Sequence, residues 1–175
     1  MAKTKGTVVL KAVKVLRSRK QESLAHLPAE LHHYLADRIV VSSWYPEADF
    51  FQLLCACAAL YPGGDAAFEM LGAATAQDHA EGMYSDIVKR DAVSRARIMW
   101  KTQHDTGDLV LVAQAEKSAT YELRDWAPVS PKYCRVAGGY FTELHRLDGA
   151  PAPAYTHPKC RAAGADCCVF VISWR

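Results

Sequence analysis

The sequence predicts an α+β fold. A mostly helical N-terminal half, residues 1–104, packs on a four-stranded antiparallel sheet built in the order β-β-α-β-β by residues 105–175. Three observations predict it. The texture changes from helical periodicity to short β-branched runs at Asp105-Thr106-Gly107. Two such runs precede one helix-like stretch, CRVAGGYFTELHRL, and two follow it. The segment Tyr133–Arg175 also holds four soft-metal donors, Cys134, His157, Cys160 and Cys168, placed so that one clip would tie the helix to a strand pair.

The 175 residues make one domain with room for a core. Half are hydrophobic, and 21 Lys+Arg face 19 Asp+Glu. That balance excludes a disordered tail and a strongly basic nucleic-acid binder, so no direct nucleic-acid partner is expected. No apolar run approaches the roughly 18 residues of a membrane span. The start, MAKTKGTVVLKAV, has the outline of a signal peptide, but Lys11 and Lys14 interrupt its apolar run. A cytoplasmic protein is expected, in which six cysteines point to metal or free thiols before disulfides.

Residues 1–20 carry seven Lys/Arg and no acid. Val8, Val9, Ala12, Val13 and Leu16 recur at helical spacing, which suits a first helix facing the core. The alternative is a basic amphipathic helix touching anionic lipid or an acidic partner. Residues 21–38 read as two short helical pieces, the second with Pro28 in its first turn. His32 and His33 point about 100° apart on a helix and cannot share one ion. Val40–Tyr45 reads as an extended link into Pro46. Residues 47–61 then form a buried helix, on which Cys55 and Cys57 face opposite sides as ordinary buried thiols.

Gly63-Gly64 marks a turn, and Asp65 is expected to cap a helix over residues 65–84. His79, late in that helix, reads as half-exposed, with a haem-ligand role as the rival reading. Residues 91–104 form the last helix of this half. Trp100 and His104 share a face, either lining a pocket or as a packed Trp beside an exposed His. DLVLVAQA and ATYELRDW are strands joined at Glu116-Lys117-Ser118. Ser130-Pro131 opens the helix holding Cys134; Pro151 and Pro153 mark the loop after it. AYTHPKC and CCVFVISW are the last two strands.

Three Cys and one His make a complete tetrahedral zinc shell, closed and so structural. His157 and Cys160 bracket a tight Pro-Lys turn, and Gly164 permits the sharp loop to Cys168. The residues alone leave open a set of unrelated buried thiols. Cys167 and Cys168 compete for one place, since neighbours on a strand face opposite ways.

The segment CRVAGGYFTEL … HPKCRAAGADCC resembles the sensory domains of phenol-sensing activators of sigma-54 transcription. These belong to the 4-vinyl-reductase-like ligand-binding superfamily, related to the haem-NO-binding domain and to TRAPP subunits. In the phenol sensors the matching ligands are Cys, Glu, Cys, Cys. Cys134, Cys160 and Cys168 fall on the cysteines, His157 stands in place of the Glu, and Gly164 matches the family glycine. The resemblance implies a Cys₃His zinc site with Cys168 as the fourth ligand and Cys167 free. LPAELHHYLAD, VSSWYP and the closing C-x-F-x-x-x-W are also similar to a paralogue family abundant in myxobacteria, a likeness that implies no activity.

The superfamily resemblance implies a non-enzymatic sensor in which helices and sheet enclose an apolar cavity for a hydrophobic or aromatic small molecule. Trp44, Tyr45, Phe50, Phe51, Trp100, His104 and Tyr121 are its candidate lining, as apolar walls with a few polar heads. The phenol-contacting His and Trp of those sensors match no positions here. The sensors continue into an ATPase and a DNA-binding domain, whereas this sequence ends at Arg175. Its signal is therefore expected to leave through a homodimer or a protein partner. The alternative is a zinc-stapled interaction or scaffold protein without a small-molecule ligand. Catalysis is not expected: there is no G-x-S-x-G elbow, phosphate loop or H-E-x-x-H, and the metal shell has no open position.

Overall fold

The computed structural model describes residues 1–82, 84, 92–127 and 130–175. Helical periodicity in the first half becomes real helices: α1 (Gly6–Ser18), α2 (Lys20–His26), a 3₁₀ turn (Ala29–Leu35), α3 (Glu47–Ala59), α4 (Ala66–Glu81) and α5 (Ala92–Gln103). Position 83 and Asp91, within the helices predicted over 65–84 and 91–104, lie outside the described residues.

The apolar stripe of α1 faces inward, with Val9, Val13 and Leu16 fully buried. Each such side chain contributes roughly 1.5–3 kcal/mol. The extended link around Tyr45 goes further than its sequence suggests. Trp44–Pro46 (β2) pairs antiparallel with Lys3–Lys5 (β1), a two-stranded ribbon that anchors the N-terminus. Asp65 does not cap α4 with its side chain; its carboxylate lies 3.4 Å from Arg135 instead.

The C-terminal half adds β3 (Asp108–Ala115), β4 (Ser118–Arg124), α6 (Pro131–Leu147), β5 (Ala154–Lys159) and β6 (Cys168–Ser173). The sheet order is β3-β4-β6-β5, all antiparallel. Strand β6 is central, which explains its Val169-Phe170-Val171-Ile172 run. Trp126, predicted inside a strand, lies just past β4 and is buried in the core.

Helix α6 lies between α4 and the sheet, and glycines set how close it comes. A Cβ on Gly139 would stand 2.2 Å from the Glu69 carbonyl oxygen, and one on Gly72 2.0 Å from the Val136 carbonyl oxygen. The two backbones therefore touch directly. On the other flank, Gly138 leaves room only for the Tyr155 ring. One continuous core runs through both halves, from Leu16 and Leu53 to Leu123, Phe141 and Phe170.

Candidate metal centre and inner cavity

Cys134 sits in the first turn of α6, a helix begun by Pro131 at its first position; the Cys134 N–H donates to the Ser130 carbonyl at 3.0 Å. Cys168 opens β6, opposite Leu123. Between them β5 carries a bulge. Thr156 pairs with Val171 but Lys159 with Val169, so one extra residue is taken up at His157-Pro158. Proline cannot donate to the ladder, and a bulge re-aims the side chain beside it. His157 stacks on Phe170, centroids 4.4 Å apart. Cys160 precedes a 3₁₀ turn (Arg161–Ala163) that Gly164 ends at φ +90°, a left-handed conformation suited to glycine.

The donor atoms of Cys134, His157, Cys160 and Cys168 all lie within 4.8 Å of one another. The Sγ of Cys134 is 3.7 Å from that of Cys168 and 3.9 Å from that of Cys160. Two thiolates about 2.3 Å from a tetrahedral zinc stand about 3.8 Å apart. His157 Nδ1 faces the Val169 carbonyl at 2.8 Å, while Nε2 is buried without a hydrogen-bond partner. That is the arrangement of a ligating imidazole, one nitrogen fixed by a backbone carbonyl and the other left for an ion. Cys167 is buried outside the cluster.

The electrostatics agree with the donor set. The Cys134 thiol and then His157 and the Arg161 N–H, outweighing burial, hold Cys168 down at about 4. Contact with Cys168, then burial and Cys160, push Cys134 up. Burial lowers His157, but Cys168, Cys160 and the Val169 carbonyl outweigh it and raise the imidazole to about 9. Cys168 is thus favoured as a thiolate and its neighbour Cys134 as a thiol, because adjacent thiolates would repel. A dication fits such a group: it would be held by all four residues and would stabilise the crowded thiolates.

A second feature lies between the helices. A cavity of about 70 Å³ is bounded by α1, α3, α4, α5 and α6, including Val8, Phe50, Leu54, Met99, Trp100 and Tyr140. Of the seven aromatic and histidine positions predicted to line a pocket, Phe50, Trp100 and His104 do so. The other four are elsewhere. Trp44 is 41% exposed, beneath the Lys5 ammonium. Tyr45 packs near Tyr34, with its hydroxyl at the Val40 backbone. Phe51 stacks on Tyr133, and Tyr121 packs under Phe141 with its hydroxyl 2.8 Å from His145 Nε2. Aromatic identity does not tell which helix face a residue occupies.

One histidine differs from its predicted exposure. His79 is buried, its Nδ1 3.0 Å from the Tyr140 hydroxyl, and burial pushes its imidazole down to about 4. His104 stacks on Trp100, centroids 4.3 Å apart, with Nδ1 2.7 Å from Glu47 Oε1. Glu47 itself escaped the sequence reading. It is fully buried, and the same oxygen accepts from Trp126 Nε1–H and Tyr133 O–H. The sequence did hold a signal for the cavity. Tyr133, Val136, Ala137 and Tyr140 recur at i, i+3, i+4 and i+7, one stripe of α6.

A larger hollow of about 860 Å³ opens at the surface beside the cluster, between Glu69, Arg135 and Tyr155. No helix among the described residues is long and apolar enough to cross a membrane.

No protein-family model and no curated protein matches the chain. Solved structures do. An H-NOX protein from S. oneidensis in its Fe(II)NO state is similar over 98% of this chain and 99% of its own, at 16% identity and a TM-score of 0.68. The Fe(II) unliganded H-NOX protein from K. algicida covers 98% and 96% at 10% identity and TM-score 0.65. A structure solved to probe haem distortion in the H-NOX family covers 98% and 95% at 14% identity and TM-score 0.64. Haem does not fit the inner cavity as the described residues form it. The inner cavity of about 70 Å³ is far below the several hundred Å³ of a cofactor site. Trp100, Trp126, Tyr133 and Phe141 pack their rings against one another beside it. The likeness is one of fold: this chain has the architecture of the H-NOX domains, and its inner cavity, as the described residues form it, is smaller than a haem site.

Proposed function

We propose that this chain is a non-enzymatic, sensor-type ligand-binding domain with a structural zinc, signalling through contacts of a dimer or a protein partner. Zinc would be held by Cys134, His157, Cys160 and Cys168, joining the start of α6 to the β5–β6 edge of the sheet. When bound it supplies a crosslink and charge balance for three thiolates. Four protein donors fill a tetrahedral shell, leaving no position for a reacting water. The small molecule would enter the inner cavity.

The observation that carries the reading is that cavity: apolar walls with His79, Gln103 and His104 as polar heads, in a fold shared with H-NOX proteins. A second reading is a zinc-stapled interaction protein without a small-molecule ligand. The smallness of the cavity favours it, and so does the 860 Å³ surface hollow beside the cluster.

The test is metal analysis with native mass spectrometry on protein purified without added metal. About one zinc per chain together with a bound small molecule is the expected result. Zinc without any bound molecule would favour the interaction reading. Absence of metal with all thiols free would refute the zinc site.

A further inference from the structure

We infer that the inner cavity takes a neutral molecule of a few heavy atoms carrying one hydrogen-bond acceptor, and that Gln103 is the residue that reads it. The inference rests on the ligand-binding reading above and narrows it to a chemical class.

The first observation is an unmatched donor. Gln103 is 3% exposed and lines the cavity. The Thr7 hydroxyl donates to its Oε1 at 2.5 Å, which leaves Nε2 as the remaining end. Nε2 is buried and has no hydrogen-bond partner among the described residues. Buried amide donors are nearly always paired, because leaving one unpaired forfeits its hydration with nothing in return. An oxygen entering the cavity would restore the bond. The backbone around Gln103 is also fixed, since the Thr4 hydroxyl donates to its carbonyl at 2.9 Å. The donor is thus presented by a held residue.

The second observation is size. The space is about 70 Å³. A cavity of about 150 Å³ is known to accept benzene, so an aromatic ring is too large for this one as it stands. Short aliphatic ketones, aldehydes and alcohols are of the right order. The third observation is polarity. Among the described residues no Lys, Arg, Asp or Glu lines the cavity; Val8, Leu54 and Met99 do. An ion would lose its hydration there without compensation, so the ligand is neutral. An ordered water is the rival occupant, because it too would satisfy Nε2.

Acetone and isobutene separate these cases, being of one shape with and without an acceptor oxygen. Each is titrated into the ¹⁵N-labelled full chain as purified, and into Gln103→Leu. The expected result is a saturable acetone shift of the Gln103 side-chain NH₂ signals that isobutene does not reproduce. Gln103→Leu should weaken acetone about tenfold, the effect of one buried hydrogen bond. Its isobutene affinity should stay within about twofold, which also reports that the variant is folded. If isobutene binds and acetone is indifferent to Gln103→Leu, the role of Gln103 is overturned while the ligand-binding reading stands. If neither molecule binds, water holds the site and both fail. The wild-type NH₂ signals alone decide the matter should Gln103→Leu not fold.

Discussion

Acidification from pH 7 to pH 5 tests the helical interior at one residue. His79 is buried against Tyr140 and Tyr84, and burial pushes its imidazole down to about 4. Lys11 acts in the same direction and Asp78 against it; the two form an ion pair at 2.7 Å. In the unfolded chain a histidine takes its proton near about 6.5. The unfolded state therefore binds the proton first as pH falls. The stability from a neutral His79 is fully present above pH 6.5 and is lost as pH descends towards 4. Those two values give a loss of about 2 kcal/mol between pH 7 and pH 5, with a limit of about 3 kcal/mol below pH 4. The assay is urea denaturation of the wild type and His79→Gln at both pH values. Whatever the Cys/His cluster contributes on acidification, it contributes in both proteins. The readout is thus the difference of differences: His79→Gln should lose about 2 kcal/mol less than the wild type on acidification. Equal losses would refute the claim that this imidazole is held neutral.

Three further outcomes are expected. Cys160→Ser should cost several kcal/mol and make the chain insensitive to chelator, whereas Cys57→Ser should cost about 1 kcal/mol, because metal binding is coupled to folding and a buried thiol is only packing. Equal thermal shifts from the two would sink the clip. Gly139→Ala should cost about 1–3 kcal/mol in urea, since its Cβ would meet the Glu69 carbonyl oxygen at 2.2 Å and neither backbone can yield alone. Glu47→Leu should cost about 3 kcal/mol by Trp fluorescence-monitored denaturation, because Trp126 Nε1–H and Tyr133 O–H lose their buried acceptor; a change under about 1 kcal/mol would show that water replaces it.

Strand β6 was legible because a central strand buried on both faces needs a continuous apolar run, and Val169–Ile172 is one. The helices of the first half were legible from the i, i+3, i+4 recurrence of α1 and from Pro and Gly punctuation. The four clustered donors could be named because residue type and spacing do not depend on knowing the packing. The bulge that turns His157 inward could not be read, since Pro158 reports a defect in the ladder but not its direction. Glu47 was hidden because a glutamate after Pro46 looks like an exposed first-turn carboxylate. Its burial arises only when β4 ends and brings Trp126 across from the other half of the chain. The cavity was misjudged for the same reason: Phe50 and Phe51 are adjacent, yet only Phe50 falls on the inward face that it shares with Leu54.

The bare flanks of α6 have a mechanical consequence. With Gly139 against one neighbour and Gly138 against the other, no flexible side chain cushions the helix at that level. It behaves as a rod gripped between two jaws. Cys134 and Tyr140 ride on that rod six residues apart, about 9 Å along its axis. A molecule pressing on Tyr140 and an ion gripping Cys134 would thus bear on one and the same element, and each would then alter the hold of the other by an equal factor.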